Sequence, residues 1–151
     1  MNKVIYFIVV FGFVIFFIPV NFCQASDSNE DIVTYIKEVS SIVTNVDITI
    51  RGVGFNTLPM QEGVKRLNIA IGQMSLIKCP PGMSKQYKAI LLAFKKIRAG
   101  LLLFSLEKKN IAVGLIKNGT RLLKYAAKDI LAIAEREGIR KSGNAPEQKG
   151  E

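Results

Sequence analysis

The chain has 151 residues, with 21 Lys and Arg against 12 Asp and Glu, a formal charge of +9, no His, no Trp and two Cys. Without imidazole there is no Ser-His-Asp or Cys-His nucleophile system, no histidine metal ligand and no histidine general base, so the commonest routes to hydrolysis are closed. The length suits one domain of ordinary size.

Met1-Asn2-Lys3 precedes an apolar run from Val4 to Ile18, followed by Pro19 and a short polar stretch. The pattern predicts a secretory signal peptide over residues 1–25, with Cys23 and Ala25 as small residues at the minus-three and minus-one positions of a cut before Ser26. Two rivals stand beside it. An uncleaved anchor fits because Val4–Phe22 is 19 residues long, against the roughly 17–25 that span a bilayer. A lipoprotein cut before Cys23 is disfavoured by bulky Phe22 and polar Asn21. All three export the remainder, since Lys3 holds the N-terminus inside and the acidic segment from Ser26 to Asp31 favours the far side. The expected location is periplasmic or secreted, or membrane-anchored with the domain on the exported side.

The leader holds six of the nine Phe, so a domain over residues 26–140 needs an aliphatic core. Cys79 is then the one remaining Cys and no intramolecular disulfide forms. It is expected either as a small buried residue before Pro80-Pro81 or in an intermolecular disulfide.

Four helices are predicted in this domain. Ile32, Ile36, Val39, Val43, Val46, Ile50 and Val53 follow steps of four and three from a cap at Ser28, with Asp31 three positions on. Val46–Ile50 also alternates and is β-branched, so a short strand is the competing reading there. Gly52 and Gly54 stop either element. Thr57 and Pro59 start a second helix carrying Met60, Val64, Leu67, Ile71 and Met74, which Cys79-Pro80-Pro81-Gly82 ends. Ser84 is expected to cap a third helix to about Lys109, with Tyr87, Ile90, Phe94, Ile97, Leu101 and Phe104 inward. After Lys108-Lys109-Asn110 a fourth runs to Gly138; its Gly119 and its alanines let a neighbour come close. No Gly or Pro separates the third and fourth, so one long bent helix competes with a tight hairpin. Residues 141–151 read as a polar, disordered tail. The fold class expected is all-α, an antiparallel up-down four-helix bundle.

Charge is concentrated rather than spread. Residues 26–64 carry a net −4, residues 65–128 a net +13 with Glu107 the lone acid against fourteen cations, and residues 129–151 a net −1. Lys117, Arg121, Lys124 and Lys128 recur at steps of four, three and four, opposite the apolar face of the fourth helix. Lys85, Lys88, Lys95 and Lys96 lie away from the apolar face of the third. A solvated surface accounts for such residues in bland terms, but solubilising faces mix signs. The sharper expectation is a non-enzymatic module whose basic face contacts an anionic envelope component: phospholipid head groups, lipopolysaccharide, acidic glycan or an acidic protein. Nucleic acid is a weaker partner, given the export signal and the lack of interleaved aromatics. The competing class is a structural or assembly protein of the envelope that self-associates or pairs with another protein through apolar residues off the main stripes: Leu58, Ile69, Leu76, Leu103 and Leu106. Burial within the bundle is the simpler expectation for these.

Other features carry less. Arg98 falls toward an apolar side, where a structural salt bridge or an extended stem is expected. Arg51–Asn56 lacks the third glycine and the Lys-Ser/Thr of a phosphate loop and reads as a turn. Asn118-Gly119-Thr120 matches a glycosylation sequon but lies mid-helix. Glu30, Asp31, Glu38, Glu135 and Glu137 show none of the inward placement of a carboxylate site in a bundle core, and neither Glu-x-x-His nor Cys-x-x-Cys-His is present. No catalytic residue, metal or cofactor is expected.

Overall fold

The computed structural model describes residues 27–136. The predicted leader, the tail and Gly138 lie outside them. The described residues form four helices and no strand: α1 (Asp27–Gly54), α2 (Met60–Leu76), α3 (Ser84–Ser105) and α4 (Lys109–Arg136).

In α1 the helical period wins over the alternating one. Val46, Thr49 and Val53 are buried at steps of three and four while Ile48 is exposed. A strand over Val46–Ile50 would instead have put Ile48 on the side of its neighbours Val46 and Ile50. The β-branched residues are poor helix formers, so tertiary burial holds this helix. Two hydroxyls fold back onto it: Thr44 donates to Ser40 O and Thr49 to Asn45 O, both at 2.8 Å. Ser28 lies inside α1 rather than before it.

The connections depart from their expected caps. Thr57 does not cap α2; its hydroxyl donates to Gly52 O at 3.1 Å, closing the α1 end, while Asn56 takes the left-handed conformation (φ 58°). Pro59 precedes α2, and its carbonyl accepts from Gly63 N–H at 3.0 Å. α2 stops at Leu76, before Cys79, and Gly82 (φ 86°) turns the chain into α3. Met83 occupies the cap position and Ser84 is already helical, with no side-chain cap. The Met83 side chain is buried, so the entry is fixed by packing instead of by a hydroxyl.

The hairpin reading of α3 and α4 holds, and the break has a definite geometry. Glu107 adopts φ 63°, Glu107 N–H donates to Phe104 O at 3.1 Å and Lys108 N–H donates to Leu103 O at 3.0 Å. These are the paired bonds of a Schellman C-terminus, with Glu in the position where glycine is usual.

α3 and α4 form the most extensive helix pair. A Cβ on Gly100 would meet Ile116 Cγ1 at 2.5 Å and Ala112 O at 2.9 Å; one on Gly119 would meet Ile97 Cγ1 at 2.6 Å and Ala93 O at 2.9 Å. The two contacts mirror each other because the sequence does. Ala93, Ile97 and Gly100 recur as Ala112, Ile116 and Gly119, nineteen positions on. Position numbers therefore rise along α3 as they fall along α4, with Gly100 level with the Ala112–Ile116 turn and Gly119 level with the Ala93–Ile97 turn.

α1 and α2 cover one side of this pair. Ile36, Val39 and Val43 share a small apolar pocket with Ile90 of α3 and Leu123, Ala127 and Ile130 of α4. Gly63 of α2 faces Val53 of α1 and Leu101 of α3. The core is aliphatic, with Tyr35 and Phe94 as its large aromatic members.

Candidate anion-binding surface

On α4, Lys117, Arg121, Lys124 and Lys128 are all exposed. At about 100° per residue they follow one line along the helix. On α3, Lys85, Lys88 and Lys95 are exposed and Lys96 is half-buried. None of the eight stands in a salt bridge seen among the described residues, which include the local pairs Asp47–Arg51 at 2.8 Å and Glu62–Arg66 at 3.2 Å. Mutual repulsion among the eight is thus offset mainly by solvent and counterions.

The packing divides them into two groups. Ile90 on α3 and Ala127 on α4 mark the side covered by α1. Turning from the α3-facing residues of α4 toward Ala127 leads on to Lys117 and Lys124. Turning from the α4-facing residues of α3 away from Ile90 leads to Lys96, Lys85 and Lys88. The α4 cations accordingly border the α1 side of the hairpin, and the α3 lysines border its opposite side, which no described helix covers.

That uncovered side is not purely polar. By the register that the two glycines set, Leu92 is level with Leu122, Ala99 with Leu115 and Leu103 with Ile111. Leu92 is 48 % exposed, Ile111 60 % and Tyr125, near the outer margin, 61 %. The periodicity reading missed this surface, because it ranked each helix by its inward stripe. The signal was present as the nineteen-residue self-similarity, which repeats Leu92 as Ile111 and Leu103 as Leu122.

The apolar residues off the main stripes are not absorbed by the bundle as expected. Leu76 is 88 % exposed, and Ile69 and Leu106 are exposed as well; only Leu58 and Leu103 are half-buried. Among the described residues, no element covers the outer face of α2. Ile48 and Ile69 line a shallow groove between α1 and α2 with Asn45, Arg66 and Gln73.

Arg98 finds an amide instead of a carboxylate: its Nη1 donates to Asn68 Oδ1 at 2.9 Å, while Nε is buried without a hydrogen-bond partner. Cys79 is half-buried and free, with Sγ 3.6 Å from Pro80 O, and burial pushes its thiol up, away from the reactive thiolate. Nearby Tyr35 is buried with an unpartnered hydroxyl. Burial first, then the neighbouring Cys79 and Tyr87 groups, hold its ionisation well above the ordinary tyrosine value. Burial also raises Asp47, against the opposing pull of Arg51. Among the described residues no cluster of His, Cys, Asp or Glu is placed to hold a metal, and no helix is long and apolar enough to cross a membrane.

No family model, curated protein or solved structure matches this chain.

Proposed function

We propose that the protein is an exported, non-enzymatic binding module, an up-down four-helix bundle that accumulates on an anionic component of the cell envelope. One observation carries this reading: residues 65–128 bear fourteen cations against Glu107 alone, and the eight on α3 and α4 considered above have no described carboxylate to neutralise them. A polyanionic surface supplies that neutralisation at many points at once. The mechanism is electrostatic gathering, which falls steeply as salt shortens the Debye length from about 30 Å at 0.01 M to about 8 Å at 0.15 M.

The test is retention of the exported protein on anionic vesicles, lipopolysaccharide and an acidic glycan across a salt series. Retention on at least one of them at low salt, lost by roughly physiological ionic strength or just above it, is the expected result. Absence of retention on all three at low salt removes the reading. A second reading, assembly of copies or pairing with another envelope protein, is favoured by exposed Ile48, Ile69 and Leu76 along α1 and α2. Sedimentation as a monomer at high micromolar concentration counts against self-assembly.

A further inference from the structure

We infer that the uncovered face of the α3–α4 hairpin is a membrane-surface docking plate: Leu92, Leu103, Ile111 and Leu122 enter the head-group boundary of an anionic phospholipid bilayer while the α3 lysines hold the phosphates. The inference rests on the proposed attraction to anions and adds which face makes the contact and what it contacts.

Three observations lead there. First, no described helix covers the face: among the described residues α1 and α2 pack on the other side of the hairpin, and Leu92, Ile111 and Tyr125 remain about half or more exposed. Second, it is a plate rather than a ridge. The reciprocal glycine contacts bring two backbones close together, so Leu92 and Leu122, and Leu103 and Ile111, stand side by side in rows about 16 Å long on a face that runs about 30 Å from Lys85 to Ser105. Third, its rim and charges suit a lipid surface. Lys85 and Lys88 stand at one end and Lys108 and Lys109 at the other, all exposed, while Lys96 is half-buried mid-face. A lysine so placed lays its stem on apolar surface and sends its ammonium outward. Tyr125 at the margin is the amphipathic ring that membrane interfaces favour.

The charge also decides between occupants. Among the described residues, Asp129, level with Lys85, and Glu107, beside Lys108 at the turn, are the acids near this face, so a second copy would bring two larger lysine sets together with little to offset them. A layer of phosphodiesters meets each ammonium with an opposite charge, and the acyl boundary beneath takes the leucines. Insertion stays shallow, because no described helix is apolar enough to span the bilayer.

The chain's lack of Trp gives a direct probe. Exported protein of recorded mass is prepared as the parent, Leu92→Gln/Ile111→Gln, Lys85→Gln/Lys88→Gln/Lys96→Gln, and Lys117→Gln/Arg121→Gln/Lys124→Gln/Lys128→Gln. Each is also made with Tyr125→Trp as the fluorophore, and circular dichroism checks that the helices are kept. Partitioning is measured on phosphatidylglycerol–phosphatidylcholine vesicles and on phosphatidylcholine alone.

The parent should bind the anionic vesicles alone, with the Trp emission moving to shorter wavelength. Leu92→Gln/Ile111→Gln should weaken partitioning about tenfold, as lost apolar burial requires. The α3 lysine variant should weaken it at least as much and flatten the salt dependence, while the α4 variant should change it less than about threefold. If the parent binds but the α4 variant alone releases it, and the Trp emission does not move, the face is wrong and the electrostatic reading survives. Failure of the parent to bind anionic vesicles while lipopolysaccharide or the acidic glycan retains it also overturns the docking plate and leaves that reading standing. If the parent sediments as a dimer that Leu92→Gln/Ile111→Gln dissociates, the face is a contact between copies and the proposal falls.

Discussion

Gly63 on α2 and Gly100 on α3 both face a neighbouring helix, but they meet different atoms. A Cβ at Gly63 would press on Val53 Cγ2 at 2.6 Å and Leu101 Cδ1 at 3.3 Å, both side-chain termini; one at Gly100 would also press on Ala112 O at 2.9 Å and Ile116 N at 3.2 Å, which are backbone. Gly119 repeats the backbone contact. A side-chain terminus can yield by itself, Leu101 by rotation and β-branched Val53 by a smaller shift, whereas a backbone inside a helix moves only with its helix. The α3–α4 pair is therefore set by main-chain geometry and the contacts of α2 by adaptable side chains. The basic charge sits mostly on the stiffer pair.

The sharpest way to break that contrast is to add a methyl group on each side of it. Gly100→Ala and Gly119→Ala should each destabilise the fold by about 2–3 kcal/mol, through overpacking that repacking cannot relieve. Gly63→Ala should cost about 1 kcal/mol or less, because only side-chain atoms stand in its way and the gain in helix propensity, shared by all three sites, returns part of the loss. Urea melts of the three variants test this, and equal costs at Gly63 and Gly100 would remove the distinction.

A second test titrates the α1 side. The ionisation of Tyr35 is raised in the fold, while an unfolded tyrosine ionises near pH 10. Above about pH 10 the unfolded chain sheds a proton that the folded one keeps, so this contribution is fully present below that pH and is lost as pH rises, at up to about 1.4 kcal/mol per pH unit. Tyr35→Phe should lack that part of the alkaline slope. It should be no less stable at neutral pH, since the hydroxyl it removes has no hydrogen-bond partner. A variant that melts with the same alkaline slope as the parent would place the pH dependence elsewhere.

The smallest effect lies at the hairpin turn. Glu107 holds a left-handed conformation that costs a side-chain-bearing residue about 1 kcal/mol, so Glu107→Gly should raise stability by about that amount. A loss of stability on that substitution would show that the carboxylate, amid the surrounding cations, matters more than its backbone.

Much of this architecture is legible in apolar spacing. The steps of three and four from Ile32 to Val53 carry through as one helix, because burial of Thr49 and Val53 outweighs β-branched propensity. On α3, Ile90, Phe94, Ile97 and Leu101 are buried where the period places them, whereas Tyr87 and Phe104 are only half-buried and Gln86, Ala93 and Gly100 join the buried face. Local punctuation is harder to read. Ser84 looks like a cap, yet the buried side chain of Met83 sets the helix start. Glu107 carries no turn signature, although it completes a helix end of the glycine type. Exposure of Ile69, Leu76 and Leu106 was not legible either, since a period says which residues share a side but not whether a neighbour exists to cover it. Of the candidate surface, the cations could be named from spacing, whereas their separation into two groups depends on where α1 packs.

The reciprocal contacts of Gly100 and Gly119 have a mechanical consequence. Gly119 is level with residues 93–97 and Gly100 follows within a turn or two, so the two close approaches lie about 7–8 Å apart along the axis. The hairpin is pinned at its waist, and its two ends are joined less tightly: one by the Glu107 turn, the other by side chains alone. Bending the pair to follow a curved support would open those ends before it disturbed the middle. Amide exchange should accordingly be slowest around Ile97 and Ile116 and quicken toward Ser84 and Arg136.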